Sequence, residues 1–309
     1  MKLVSSINAE PPTRIDAMMF GQPEKMCPWL ITGHGNAIVD PGPANTADGV
    51  IESIEKLGVD SIDAILLTHI HFDHAGGTGH LARRFPEATV YVHPRVAKHL
   101  SDPTALVQGV KSVWGPPTEE LFGLPVPIDA SRIQRLEDGQ SVDLGDRRIE
   151  AISSPGHTRA HLSFIDPASG SLFAGDALGI QVPGSKVIRP STPPADFSYD
   201  AAVASIERLR NINADRVLLP HFGELGPDPE TGFLAAQESL GRWRDAYLGA
   251  RETAERDEDI IRRVHCSLEA TLEPVTPSVR RSFDAINPPW LNVDGMNGEM
   301  DRLSRASAA

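Results

Sequence analysis

Cysteine is scarce. The 309 residues contain two, Cys27 and Cys266, and no CxxC pair. That argues against a disulfide framework and against a thiolate metal cage. No apolar run approaches the length needed to cross a bilayer. The opening stretch, "MKLVSSINAEPPTRIDAMMF", has no uninterrupted apolar segment. No signal peptide is therefore expected, and a cytoplasmic location is the default. Positive charge is in deficit, with 29 Lys+Arg against 42 Asp+Glu and a formal net charge of −13. Such a balance repels phosphate backbones and anionic lipid, so nucleic acid and membrane partners are disfavoured. Bound divalent cations would offset part of it. Repeats, low-complexity tracts and long like-charge runs are absent. So is a GxSxG nucleophile elbow.

What is present is strand–helix–strand alternation, with 40% hydrophobic residues to build a core. "WLITGHGNAIVDPG" reads as two short strands closed by a Pro-Gly turn. "ANTADGVIESIEKLG" places Val50, Ile51, Ile54 and Leu57 on one helical face, with Asn45 or Thr46 as cap and Gly58 as stop. "DAILLTH" is a compact apolar strand, "GGTGHLARRF" a short helix and "TVYVHP" another strand. From Asp102 to Ala130 the pattern loosens, and "GPPTEELFGLPVPIDA" predicts an exposed loop. Strands resume in "RRIEAISS", "HLSFI" and "SLFAGD". "YDAAVASIERLRNI" is then a helix, and "DRVLLPH" is the final strand. The rhythm implies α/β layering. Beyond it, Phe233, Ala236, Leu240, Trp243 and Tyr247 recur at helical spacing, as do Ile261, Val264, Leu268 and Leu272. Shorter helices are expected at 279–286 and 296–303. The domain expectation is 1–225 for the layered domain and 226–309 for a helical extension.

"THIHFDHAGG" gathers His69, His71, Asp73 and His74 directly after a strand. A loop turning into a helix can fold His69 and His71 onto one ion and aim Asp73 and His74 at a neighbour. Imidazole with carboxylate suits zinc, iron or manganese better than calcium or magnesium. Two ions need more ligands, and three further strands end in one metal-capable side chain each. These are His157 in "SSPGHT", Asp176 in "LFAGDA" and His221 in "VLLPHFG". His34, His80, His93, His99 and His265 have no partner motif and read as ordinary histidines. His161 is read the same way first, with support of the ligands as the alternative.

In order, Asp40 in "IVDPG", the "HIHFDH" cluster, "SPGH", "FAGDA" and "LLPH" resemble the metallo-β-lactamase fold hydrolases. The resemblance covers about residues 15–225 and implies an αββα four-layer sandwich with metal at one edge. It assigns one ion to His69, His71 and His157, and a second to Asp73, His74 and His221. Asp176 would bridge the two beside a hydroxide, and Asp40 would orient the cluster. Asp40 can also be read as a plain turn residue before Pro-Gly. The cofactors that the resemblance implies are two divalent ions, zinc first, with iron or manganese as alternatives.

Two such ions about 3.5–4 Å apart would generate a hydroxide that attacks a carbonyl or phosphoryl centre. Asp73 and Asp176 could shuttle the proton. The pattern is similar to an uncharacterised branch near glyoxalase II, which implies hydrolysis of an ester, thioester or lactone. The "GCGR" continuation of the glyoxalase II group and of the persulfide dioxygenases is missing. A mononuclear iron enzyme of persulfide dioxygenase type is one alternative. An acyl-homoserine-lactone lactonase is another, although Gly179 stands where those enzymes carry tyrosine. A non-catalytic binding module is the third. The resemblance implies that the extension and the loop "GIQVPGSKVIRPSTPPADF" form the substrate pocket, with Lys186, Arg189, Phe197 and Tyr199 as candidate contacts. The expected partners are a small-molecule substrate and, at most, further copies of the chain.

Overall fold

A computed structural model describes residues 9–226, 228–254, 256–271 and 275–307. Its contacts divide the chain into two compact units. The first is Met1–Ser153, Ala160–Gly175 and Ile212–Glu224; the second is Ser154–Arg159, Asp176–Asn211 and Leu225–Ala309.

Among its described residues, the first unit holds two six-stranded sheets. One contains β1 (Thr13–Arg14), β2 (Trp29–Ile31), β3 (Ala37–Val39), β4 (Ala64–Leu66), β5 (Thr89–Val92) and β6 (Ile133–Arg135), in that spatial order. β1 to β3 pair antiparallel, and β3 to β6 pair parallel. Parallel neighbours need a crossover. Three are present: α1 (Ala47–Lys56), then α2 (Phe72–Ala75) with α3 (Thr78–Arg84), then α4 (Lys98–Ser101), α5 (Thr104–Trp114) and α6 (Thr118–Phe122). The other sheet contains β7 (Ser141–Asp143), β8 (Arg148–Ser153), β9 (Leu162–Asp166) and β10 (Ser171–Phe173). It is completed by β13 (Arg216–Leu219) and β14 (Gly223–Glu224), and only its β10–β13 pair is parallel.

Alternation along each strand explains why the sheets face each other. Ala37 and Val39, Ala64 and Leu66 join one core cluster with Ile149 and Ala151, Leu162 and Phe164, Phe173 and Leu218. Ile38, Ile65, Val90 and Val92 point the other way and are also fully buried. Helix α3 packs there on β5 and against α1. Arg132 closes the helical side by donating to the carbonyls of Ala82, Phe85 and Ala88 at the end of α3.

Several expectations need correction. Val50 and Ile54 of α1 are buried, but Leu57 is 52% exposed, because the chain turns at Gly58 (φ +80°) and carries it off the packed face. Neither Asn45 nor Thr46 caps α1 through its side chain. The Asn45 amide instead donates to the carbonyls of Glu120 and Leu121 in α6. The stretch 115–130 is not an exposed loop throughout: it holds α6, follows directly on α5, and is irregular at 123–129. Proline stands at the start of α5 and of α6, where its missing N–H costs no helical hydrogen bond. Thr118, Phe122 and Ile128 are buried. Strand pairing also continues past His221 into β14.

Among its described residues, the second unit holds a hairpin of β11 (Ile180–Gln181) and β12 (Ile188–Arg189), with five α-helices. These are α7 (Tyr199–Arg210), α8 (Pro229–Arg251), α9 (Asp257–Thr271), α10 (Pro277–Ile286) and α11 (Pro289–Ser307). Phe233, Ala236, Leu240, Trp243 and Tyr247 form the buried stripe of α8, as its spacing predicts. In α9, Val264 is buried together with Ile260, and Ile261 is only half-buried. The Leu268 side chain and Leu272 lie outside the described residues. α11 runs 19 residues, well beyond the short helix expected. It crosses the chain so closely that a Cβ on Gly295 would lie 1.8 Å from the Thr192 carbonyl oxygen. No helix among the described residues is long and apolar enough to cross a membrane.

Candidate metal centre

Five of the seven expected ligands lie in the first unit. β4 ends at Leu66, and two residues later Thr68 begins the ligand-bearing loop. His69, His71 and Asp73 alternate along the loop with Ile70 and Phe72. Ile70 and Phe72 face an apolar slot walled by Leu100, Leu106 and Val126. Phe72 packs edge-on against Phe122, which meets Phe20 and Trp114 in turn. One side of the loop is thus anchored, and the other carries the chemistry. His221 arrives from the end of β13.

Asp73, His74 and His221 bring one ligand atom each within 4.8 Å of one another. Asp73 Oδ2 is 3.3 Å from His221 Nε2 and 3.6 Å from His74 Nε2, and the two Nε2 atoms are 3.3 Å apart. The outer nitrogens decide what this means. His74 Nδ1 lies 3.0 Å from Asp40 Oδ2 and donates to it. His221 Nδ1 lies 2.5 Å from the Lys25 carbonyl oxygen, which can only accept. Both protons therefore sit on the outer side, and both Nε2 atoms point lone pairs inward. Two lone pairs and a carboxylate converging on one point suit a divalent cation of the zinc, iron or manganese type. Burial works against ionisation of Asp73. When the imidazoles of the metal-free site are protonated, His74, His221 and His71 outweigh it and hold the carboxyl well below the usual carboxylate range; as neutral Nδ1–H tautomers they leave it to the metal.

His69 follows the same logic. Its Nδ1 is 3.0 Å from Thr68 Oγ1, and its Nε2 is 3.0 Å from His71 Nδ1. Asp40 sits behind both histidines, accepting from Thr68 N–H at 2.8 Å and from the Thr68 hydroxyl at 2.7 Å. Asp40, His69 and His74 also form a close group. In the second unit, His157 Nδ1 donates to the Ser191 carbonyl at 3.0 Å, and its Nε2 lies 3.6 Å from Asp176 Oδ2. Ser191 Oγ donates to that same oxygen. Thr68, Ser191 and the Lys25 carbonyl were not singled out from the sequence. Thr68 adjoins the motif, whereas a backbone acceptor carries no residue-type signal.

Among the described residues, no close group of three metal-capable side chains includes His34, His80, His93, His99 or His265. His161 is fully buried, with its ring centroid 5.3 Å from that of His69. Burial, helped by His74 and His71 when these are protonated in the metal-free site, pushes its pKa down to about 3.

The family model described as the metallo-beta-lactamase superfamily matches residues 28–221, more than half of the chain. The chain belongs to the metallo-beta-lactamase superfamily. An uncharacterized protein of Bacillus subtilis is 33% identical over 177 residues, 56% of this chain and 72% of that protein. A hydroxyacylglutathione hydrolase of Photobacterium profundum is 32% identical over 152 residues. That match spans 48% of this chain and about half, 46%, of the relative. Among solved structures, an archaeal superfamily protein from Sulfolobus tokodaii aligns with TM-score 0.69 at 21% identity, over 94% of this chain and 99% of that one. A family protein of Thermus thermophilus aligns with TM-score 0.64 at 20% identity, over 96% and 93%. These likenesses are in fold. The metallo-β-lactamase fold expected from the motifs, with a C-terminal helical region, is borne out.

The four expected substrate contacts sit in the second unit. Lys186 is exposed. Arg189 donates to Asp284 Oδ1 at 2.7 Å and to the Asn287 carbonyl at 2.9 Å, and stacks on Phe283. Phe197 is 1% exposed, and the Tyr199 ring is covered by the Arg244 guanidinium at 4.4 Å. Arg189 and Phe197 are thus committed to holding their own unit together.

Proposed function

We propose that the chain is a dinuclear metal-dependent hydrolase acting on a thioester or ester carbonyl. One observation carries the reading: His74 and His221 each spend their outer proton on a fixed acceptor, so that both inner nitrogens face the Asp73 carboxylate as lone-pair donors. The proposed ligands are His69, His71 and His157 for one ion, and Asp73, His74 and His221 for the other. Asp176 is the proposed bridge. When bound, two divalent ions supply a hydroxide at neutral pH and polarise the carbonyl under attack. The chain's own residues then have three tasks. Asp40 and the Lys25 carbonyl hold the imidazoles in the donor tautomer. Asp73, whose side chain keeps 23% of its surface exposed, can carry a proton between the site and solvent. Asp176 takes the corresponding part on the leaving-group side.

Thioesters are favoured over lactones. The lactonase tyrosine position is Gly179, at φ +87°, and a Cβ there would lie 2.4 Å from the Arg189 carbonyl oxygen. No side chain fits. The hydroxyacylglutathione hydrolases among the relatives support the same choice as a proposal about this chain. Zinc is the proposed metal, and a cytoplasmic location is proposed.

A hydrolysis screen tests the reading, using thioesters, lactones, aryl esters and phosphodiesters with zinc, manganese and iron. Thioester turnover is expected to exceed lactone turnover, and Asp176→Ala should abolish it. Full activity in Asp176→Ala would remove the bridging role. Oxygen consumption with a persulfide would instead favour the mononuclear iron enzyme.

A further inference from the structure

We propose that Thr68 is a positioning residue that fixes the tautomer of His69, and so governs one of the two ions separately from the other. The inference rests on the two-ion reading above. A threonine hydroxyl has one proton to give. Thr68 Oγ1 gives it to Asp40 Oδ2 at 2.7 Å. Toward His69 Nδ1, 3.0 Å away, the same oxygen can then only accept. The His69 proton therefore sits on Nδ1, and Nε2 keeps its lone pair for metal.

The hydroxyl has no room to turn elsewhere. Thr68 is 0% exposed, so water cannot replace either contact. Its N–H is bound to Asp40 Oδ1, and its carbonyl accepts from Leu162 N–H at 2.8 Å. Behind it lies Gly175, where a Cβ would come within 2.9 Å of the Thr68 Cβ.

The two histidines that Asp40 supports are reached by different routes. His74 bonds to the carboxylate directly, whereas His69 is reached through the Thr68 hydroxyl. Removing that hydroxyl should weaken the ion assigned to His69 and His71 and spare the one assigned to Asp73, His74 and His221.

The test titrates metal-free wild type, Thr68→Val and Thr68→Ser with zinc against a chromophoric chelator, with metal per chain from elemental analysis. Wild type is expected to bind two ions. Thr68→Val should bind one as tightly as wild type and the other about 10- to 100-fold more weakly. Thr68→Ser should restore both. Equal weakening of both ions, or none, would overturn the relay. Wild type that binds no zinc would overturn the metal reading as well, and this shows before any variant is made. Nitrogen NMR of the metal-free wild type gives a readout that needs no variant. A proton on His69 Nδ1 supports the relay, and one on Nε2 overturns it.

Discussion

At the scale of single residues, the centre depends on where protons sit. His74, His221 and His157 each face an oxygen acceptor on one side, and so does His69 through Thr68. His161 is a different case, a histidine kept neutral by burial. Its pKa falls from the usual 6.5 to about 3 on folding. The unfolded chain therefore binds the extra proton at mildly acid pH. The sign follows: this contribution is complete above about pH 6.5 and is lost as pH falls from there toward 3. At pH 5 the loss is about 2 kcal/mol. Urea unfolding of the metal-free protein at pH 7 and pH 5 measures it. The drop should be smaller by that amount in His161→Gln, and an equal drop in both proteins would contradict the assignment.

At the scale of elements, the hairpin of β11 and β12 is tied to the helices of its own unit by few but specific bonds. Arg189 donates from Nη1 to Asp284 and to the Asn287 carbonyl, and Ser239 Oγ donates to the Ile188 carbonyl. A lysine lacks the planar fork and its stacking on Phe283. Arg189→Lys should cost about 1–2 kcal/mol, and Arg189→Ala about 2–4 kcal/mol. Chemical denaturation measures both, and limited proteolysis should open the hairpin first. Most strands were legible in the sequence because apolar runs such as "AILL" and "RVLL" are short and bounded by turn residues. The stretch 115–130 misled because Pro117, which reads as a breaker, marks the start of α6. Asn45 misled because its amide serves a neighbouring helix end, a partner no local pattern names.

At the scale of the whole molecule, 42 acidic side chains face 29 basic ones. A resident divalent cation would relieve some of that repulsion and bind the folded state alone. Stripping metal with a chelator should therefore lower the unfolding temperature, and adding it back should restore it. With metal a thousandfold above its dissociation constant, each site adds about 4 kcal/mol. Calorimetry with and without chelator checks this, and unchanged unfolding would count against metal as part of the native state. The proposed ligand residues stood out in the sequence because they follow soon after apolar strands. Their acceptors were not, since Lys25 and Ser191 contribute backbone carbonyls that any residue could provide.

Ile70 and Phe72 bear on how such a site could be tuned. The ligand loop is a ribbon with two faces, and its silent face rests on the slot beneath α4 and α5. A change of volume in that slot, at Leu106 or Val126, would tilt His71 and Asp73 together without altering either. Metal preference could then drift through ordinary packing substitutions, leaving every ligand in place and the motif unchanged to a reader of the sequence.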